Sequence, residues 1–303
     1  MINPGMLTTN DVVAEPLSQG SKVGAGGARN EAFSRPRPLA VNRPTGGPMS
    51  KQPVTPTSPN KRVSAEEVLR SFNTWAFKRE QPSDPLLMQR VISDSIAVAE
   101  PISFTMYWGK GPRERLDAPD IACLDYLASL CQRVGTAYAP GATFRLILTD
   151  THARLNGYTP KGTHGYFAGI EARARQYGFS TCLLGQLVEA ASGETPSESV
   201  TEMPEDIRQI LIESAAKWYR GEGSVEYGAL KYYQGNMVEK QAVEFAFPRS
   251  IFVTFNGSKL LSLFPSRLPV FYMYSLRRGF SVKPWFLSLD ADAEDGSDRR
   301  LIA

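Results

Sequence analysis

Residues 143–158, TFRLILTDTHARLNGY, decide how the chain is read. Phe144, Leu146 and Leu148 alternate, with Ile147 on the other face, so the segment begins as a buried strand. It runs straight into a polar cluster of Asp150, His152, Arg154 and Asn156. In an open α/β sheet, ligands bind outside the carboxyl ends of the strands, where strand gives way to loop. His152, one of 2 histidines in the chain, stands just past an aspartate at such an edge. The other, His164, reads as a surface residue at a helix start. An isolated Asp-x-His also suits an ordinary solvated turn, so the flanking elements carry the weight.

Upstream, residues 102–108 (ISFTMYW) are dense in β-branched and aromatic side chains and read as a second strand. They empty into GKGPRER, residues 109–115, a loop with two glycines and the cations Lys110, Arg113 and Arg115. Glycine lets backbone N–H groups approach an anion closely, and an Arg fork matches phosphate or carboxylate. The spacing is neither that of a P-loop nor of a dinucleotide fingerprint. A helix led by Asp117 or Pro119 then runs to Tyr138, with Ile121, Leu124, Ala128, Cys131 and Val134 as its apolar stripe. Ala139, Pro140 and Gly141 stop it and turn into the 143–148 strand. Strand, helix, strand predicts a parallel β-α-β unit with a right-handed crossover.

Further out, Ser64 and Glu67 make a capping box that opens a helix through Val68, Phe72 and Trp75. Asp84 and Pro85 open another, with Leu86, Leu87, Val91, Ile92 and Ile96 inward, ended by Glu100 and Pro101. Downstream, 163–177 reads as a helix carrying Phe167, Ile170 and Ala174, with Gly178 as its stop. A short helix over 183–190 and a polar loop over 191–203 follow. Pro204 opens a helix through Ile207, Ile210, Leu211, Ala215 and Trp218. Residues 224–246 form a further helix, rich in tyrosine and weakened by Gly228 and Gly235. Strands are expected at 250–255 and 270–275, with a turn at Asn256 and Gly257 and an apolar piece at 260–264 between them. Lys283, Pro284, Trp285 and Phe286 close the ordered region.

At 303 residues, 42% hydrophobic and 21% charged, the chain is long enough to bury a sizeable core. Its net charge of +3 and lack of a long Lys/Arg run argue against nucleic acid as a partner. Arg113 with Arg115, and Arg277 with Arg278, suit a small anion. Cys123, Cys131 and Cys182 contain no CxxC pair, and an odd count without a secretion signal reads as reduced thiols in the cytoplasm. Cys131, on a helical stripe, reads as a core thiol. No run approaches the length of a membrane span. Asp150 and His152 offer two metal ligands without a third, so no metal is expected. Residues 1–62 are rich in Gly, Pro, Ser, Thr and Asn, and they read as a disordered extension, with Met49 as an alternative start. One α/β domain over 63–290 and a frayed tail over 291–303 complete the expected organisation.

Three segments then point to a family. GPRERLDAPD (111–120), DYLASLCQRVGTAYAPGA (125–142) and the strand ending at Asp150 resemble the isocyanide synthases of the pyoverdine/dityrosine biosynthesis family. The strands near 250–256 and 270–275 and the Pro-Trp-aromatic segment at 284–286 agree in outline, so the resemblance spans about residues 100–287. It implies a Rossmann-like, mostly parallel sheet flanked by helices. It also implies an enzyme of specialised metabolism that joins an amino acid's α-nitrogen to a carbon from ribulose 5-phosphate, leaving an isonitrile. Ribulose 5-phosphate is then a co-substrate, no cofactor is needed, and a downstream biosynthetic oxygenase is the pathway partner.

Residue by residue, Asp150 matches the family's strand-end Ser-Asp-Gly aspartate, Arg113 falls in its basic loop, and Pro284 and Trp285 match its Pro-Trp-His. Thr151 and His152 stand where the family has Gly-Arg, and Phe286 replaces the histidine. The candidate set is Asp150 and His152 for proton transfer, and Lys110, Arg113, Arg115, Asn256, Lys283 and Trp285 for substrate and phosphate. Two alternatives stay open: a different C–N bond-forming or group-transfer enzyme on an amino acid, and a non-catalytic metabolite-binding member of the family.

Overall fold

The computed structural model describes residues 63–109, 115–153, 155, 157–192, 202–274, 276–277 and 280–281. All belong to one unit, Thr57–Ala303. The expected extension over 1–62, Lys110 and Arg113, Arg154 and Asn156, and the segment from 282 onward with Lys283, Trp285 and the tail lie outside the described residues.

In chain order the elements are helices α1 (Ala65–Phe72) and α2 (Pro85–Ala97), strand β1 (Ile102–Trp108), helix α3 (Ala118–Gly135) and strand β2 (Ala142–Leu148). A 3-10 turn (Asp150–His152), α4 (Pro160–Gln176), β3 (Ser180–Leu183), α5 (Leu184–Ser192), α6 (Glu205–Trp218) and α7 (Val225–Ala246) follow. The chain continues with β4 (Ile251–Thr254), a second 3-10 turn (Ser258–Leu263), β5 (Val270–Tyr272) and a two-stranded antiparallel ribbon, β6 (Leu276–Arg277) and β7 (Phe280–Ser281).

The sheet has the order β3-β2-β1-β4-β5, and every pair in it is parallel. The chain therefore builds outward from β1 in one direction through β2 and β3, then returns to lay β4 and β5 on the other side. This is a Rossmann-like α/β arrangement, and its topological switch point lies between β1 and β4. The β1–β2 register runs from Ile102 opposite Ala142 to Trp108 opposite Leu148, as the β-α-β reading requires.

Side-chain alternation divides the core between the two faces of the sheet. Ile102, Phe104, Met106 and Trp108 of β1, with Phe144, Leu146 and Leu148 of β2, pack against α1 to α4. Phe104 is fully buried, edge-on to Phe72 at 5.4 Å and stacked on Phe144 at 5.1 Å between centroids. Ile147, Phe252, Val270 and Tyr272 face the other way, toward Leu184 and Val243 of α5 and α7. Helix α6, with Tyr219 just beyond it, packs on α7 through Ile207, Leu211 and Ala215, in a cluster with Ala229, Tyr233 and Leu263. Reciprocal capping boxes start α1 (Ser64 with Glu67) and α3 (Asp117 with Asp120), which satisfies backbone N–H groups the first turn leaves orphaned. No helix among the described residues is long and apolar enough to cross a membrane.

The structure corrects several local expectations. Strand β3 was not anticipated: a four-residue, half-buried edge strand is too short to show a period. Helix α1 ends at Phe72, so Trp75 lies beyond it, 88% exposed, rather than on its stripe. Leu86 is likewise 75% exposed, and Met88 takes its place in the core. On α3 the buried stripe is Cys123, Leu124, Tyr126, Leu127, Leu130 and Val134, so Cys123 is the core thiol and Cys131 is only partly buried. The turn expected at Asn256 is a bend that leads out of β4, and because β4 and β5 are parallel the connection between them is a crossover, which the second 3-10 turn supplies. The glycines of α7 leave the helix intact. A Cβ at Gly228 would lie 2.5 Å from the Tyr219 ring, so glycine there admits the α6–α7 junction.

Candidate active site

The end of β2 is anchored before it reaches the polar cluster. Thr149 donates to the Trp108 carbonyl through its N–H at 3.0 Å and its hydroxyl at 3.3 Å, carrying the β1–β2 pairing one residue further. The chain then turns sharply through Asp150, Thr151 and His152.

Asp150 points toward α5. Its Oδ1 accepts the Gly185 N–H at 2.9 Å, placing a carboxylate on an orphan donor at the positive end of that helix. A Cβ on Gly185 would sit 2.8 Å from Oδ2, so the absence of a side chain lets the carboxylate reach the backbone.

His152 points toward α7. Its Nε2 lies 2.7 Å from Oε2 of Glu239, and the Thr151 hydroxyl donates to Oε1 of the same carboxylate at 2.6 Å. The side chains of His152 and Glu239 are only 12% and 5% exposed. The imidazole also rests against Tyr232, with ring centroids 4.9 Å apart. Tyr232 and Glu239 are seven positions apart on α7, hence on one face two turns apart. Burial works to raise the Glu239 pKa. The facing imidazole and the bonds from His152 and Thr151 outweigh it, so this buried carboxylate is held below its ordinary 4.5. Two neighbouring phenols move the other way: Tyr232 is pushed up to about 12 and Tyr107 well above 10, through burial and then the Glu239 charge.

A carboxylate on one imidazole nitrogen fixes the ring's orientation and tautomer. Here the pair stands at the carboxyl end of β2, beside the strand that borders the switch point, where a proton carrier would meet a ligand. Sequence signals do not single out Glu239, Tyr232 or Tyr107 as site residues, and they give Thr151 no carboxylate partner. Nothing in a tyrosine-rich helix marks Glu239 as the residue that will face His152 from 87 positions away.

The structure places the remaining candidates as follows. Asn256 follows β4, half-buried, with its N–H on the Thr254 hydroxyl at 3.1 Å. Arg79 holds the Phe255 carbonyl at 3.1 Å and Glu80 accepts the Ser258 N–H at 3.1 Å, so this loop is clasped at both ends. Asn256 and His152 thus lie on the same edge of the sheet, with β1 between their strands. Arg115 is exposed ahead of α3, and His164 is exposed at the start of α4. A cleft of about 240 Å³ opens at the opposite, amino edge. Arg145 and Arg249 line it together with Asp94 and Glu100, and it contains none of the candidate residues.

No family model matches the chain, and no curated protein sequence does. Among solved structures it is similar to the PvcA protein from Pseudomonas aeruginosa, at 19% identity and a TM-score of 0.53, covering 69% of this chain and 82% of that one. Two tyrosyl-tRNA synthetases complexed with L-tyrosine also align, at lower scores. That from Archaeoglobus fulgidus has 14% identity and a TM-score of 0.38, covering 71% of this chain and 65% of its own. That from Pyrococcus horikoshii has 16% identity and a TM-score of 0.37, covering 73% and 58%. The likeness to PvcA is one of fold: the two chains share a Rossmann-like α/β architecture over most of their lengths.

Proposed function

We propose that this chain is an isocyanide-synthase-like enzyme of specialised metabolism, converting the α-amine of an amino acid to an isonitrile with a carbon from ribulose 5-phosphate. The observation that carries the reading is the buried Glu239–His152 pair at the carboxyl end of β2. The motif resemblance over residues 100–287 and the fold shared with PvcA support it.

The first step is condensation of the amine with the sugar ketone. The C–N bond forms, the nitrogen gives up its protons, and the ketone oxygen leaves as water. His152 takes a proton from the nitrogen and returns it to the departing hydroxyl, while Glu239 keeps the ring aimed and steadies the imidazolium between the two transfers. Asp150, bonded to α5 through Oδ1, holds the turn in place and keeps Oδ2 for a ligand amine. Lys110, Arg113 and Arg115 take the phosphate, and Asn256, Lys283 and Trp285 contact the rest of the substrates. Both substrates are small and water-soluble, the partners include neither nucleic acid nor membrane, and the enzyme works in the cytoplasm ahead of an oxygenase.

The test incubates the chain with single amino acids and ribulose 5-phosphate and detects isonitrile by its reaction with a tetrazine. Wild type should give product. His152→Gln should fold, bind the phosphosugar and turn over at least about 10²-fold slower, the usual worth of a positioned proton carrier. Arg113→Ala should weaken phosphosugar binding without lowering the melting temperature. Wild type that binds the phosphosugar yet makes no isonitrile from any amino acid would overturn the reaction. Full activity in both Asp150→Asn and His152→Gln would overturn the site.

A further inference from the structure

The cleft of about 240 Å³ at the amino edge of the sheet lies outside the site described above. Three stretches of chain build it: the end of α2 with Asp94, the approach to β1 with Glu100, and the connection from α7 to β4 with Phe247 and Arg249. Arg145 reaches it from β2. Each wall is held in place. The Tyr138 hydroxyl meets the carbonyls of Ser95 at 3.1 Å and Glu100 at 2.9 Å, so it ties the end of α2 to the approach to β1. Ser250 turns back on the Phe247 carbonyl through its N–H at 3.1 Å and its hydroxyl at 2.9 Å, and that hydroxyl also meets the Thr105 hydroxyl of β1 at 3.1 Å. Arg145 is fixed on two sides. Its Nε donates to the Ser180 hydroxyl at 3.1 Å, and its guanidinium lies over the Phe247 ring, 4.6 Å from the centroid. Its two terminal nitrogens have no hydrogen-bond partner among the described residues.

The charges lining the cleft are of both signs, and they do not neutralise one another. Among the described residues, none of Asp94, Glu100, Arg145 and Arg249 makes an ion pair. A simple anion entering the cleft meets two carboxylates, and a simple cation meets two guanidiniums. A molecule with a carboxylate at one end and an ammonium at the other suits both walls. Guanidinium forks match a carboxylate, while the acidic side chains, with the negative carboxyl end of α2 beside them, suit an ammonium. We propose that this cleft binds a small zwitterion, its carboxylate on Arg145 and Arg249 and its ammonium on Asp94 and Glu100. The volume falls below the roughly 300 Å³ at which sites for drug-sized ligands begin, which keeps the occupant small. The inference goes beyond the proposed reaction: the ligand class follows from the four charges, and the cleft lies at the edge of the sheet opposite Asp150 and His152. An occupant joins α2, β1 and the α7–β4 connection, so it stabilises the folded chain when bound.

Calorimetric titration and thermal melting of the full chain with glycine, acetate and methylammonium test the assignment, at low ionic strength where exposed charges are least screened. Glycine should bind and raise the melting temperature. Acetate and methylammonium, each lacking one of the two charges, should bind at least about tenfold more weakly. Arg249→Ala and Asp94→Asn remove exposed side chains, so neither should change the melting temperature of the unliganded protein, and each should weaken glycine about tenfold. His152→Gln should bind glycine as wild type does. A lowered melting temperature in either cleft variant would show that the charge serves the fold, and would overturn the proposal. Acetate that binds as tightly as glycine would reduce the cleft to an anion site. Glycine affinity that both cleft variants leave intact, or that His152→Gln abolishes, would seat the ligand at the other edge of the sheet. If wild type binds no glycine, the four charges are solvated and the proposal fails. None of these readouts depends on isonitrile formation, so the cleft and the proposed reaction stand or fall separately.

Discussion

The Glu239–His152 pair makes a quantitative demand on stability. The two groups are 2.7 Å apart with 12% and 5% of their side chains exposed, so water screens them weakly. The worth of a bond this short between two buried groups is set against the cost of desolvating both. Removing one partner of such a pair leaves the other buried without compensation, at a cost of about 3 kcal/mol, the low end for buried pairs. Glu239→Gln and His152→Gln should therefore each lower the melting temperature by about 6–12 °C for a folded region of this size. In the double variant two amides face each other and no charge is stranded, so the loss should fall short of the sum by about 2 kcal/mol.

The pH dependence follows from the carboxylate. Glu239 is held below its ordinary 4.5 in the folded state, so its contribution is complete above 4.5 and is lost as pH falls through the lower folded value. The gap between wild type and Glu239→Gln should be full at pH 7 and close progressively in acid. Urea unfolding of the four proteins at a series of pH values measures both effects. Single losses that add within about 0.5 kcal/mol, or a gap that widens in acid, would refute the assignment of this pair as an interacting unit.

Two further outcomes are expected. Gly185→Ala places a Cβ 2.8 Å from Asp150 Oδ2 and should break the carboxylate's bond to α5, costing about 1–3 kcal/mol in urea unfolding; an unchanged midpoint would show that the turn yields freely. The three thiols should resist alkylation by iodoacetamide at pH 8 in the native state and react at once in urea. Burial pushes Cys131 up to about 12 and Cys182 up to about 11, and raises Cys123 well above 9. Fast native labelling of any one of them would contradict its burial.

What the chain declares along its own length is the class of fold. The alternation in residues 102–108 and 143–148, the helix between them and the stops at Pro140 and Gly141 are local signals. They specify a parallel β-α-β unit because strand period, helix period and turn chemistry each act over a few residues. The capping boxes at Ser64 and Asp117 are legible for the same reason. His152 could be picked out because it follows a strand whose register the core holds. Its chemical meaning was not legible. Asp150, two residues away, looked like its companion, yet the structure sends that carboxylate to α5 and brings Glu239 across from α7. Strand β3 was too short to carry a period, and Trp75 and Leu86 looked apolar enough for a core that does not use them. The cleft at the amino edge exists only because the end of α2, strand β2 and the connection from α7 to β4 converge there from far apart in the chain. Periodicity along a strand says which side chains share a face, whereas the packing of distant segments decides which charged and hydroxyl groups meet there. That second decision belongs to the tertiary structure, because the pairing of a buried group depends on three-dimensional distance and the exclusion of water rather than on separation along the chain.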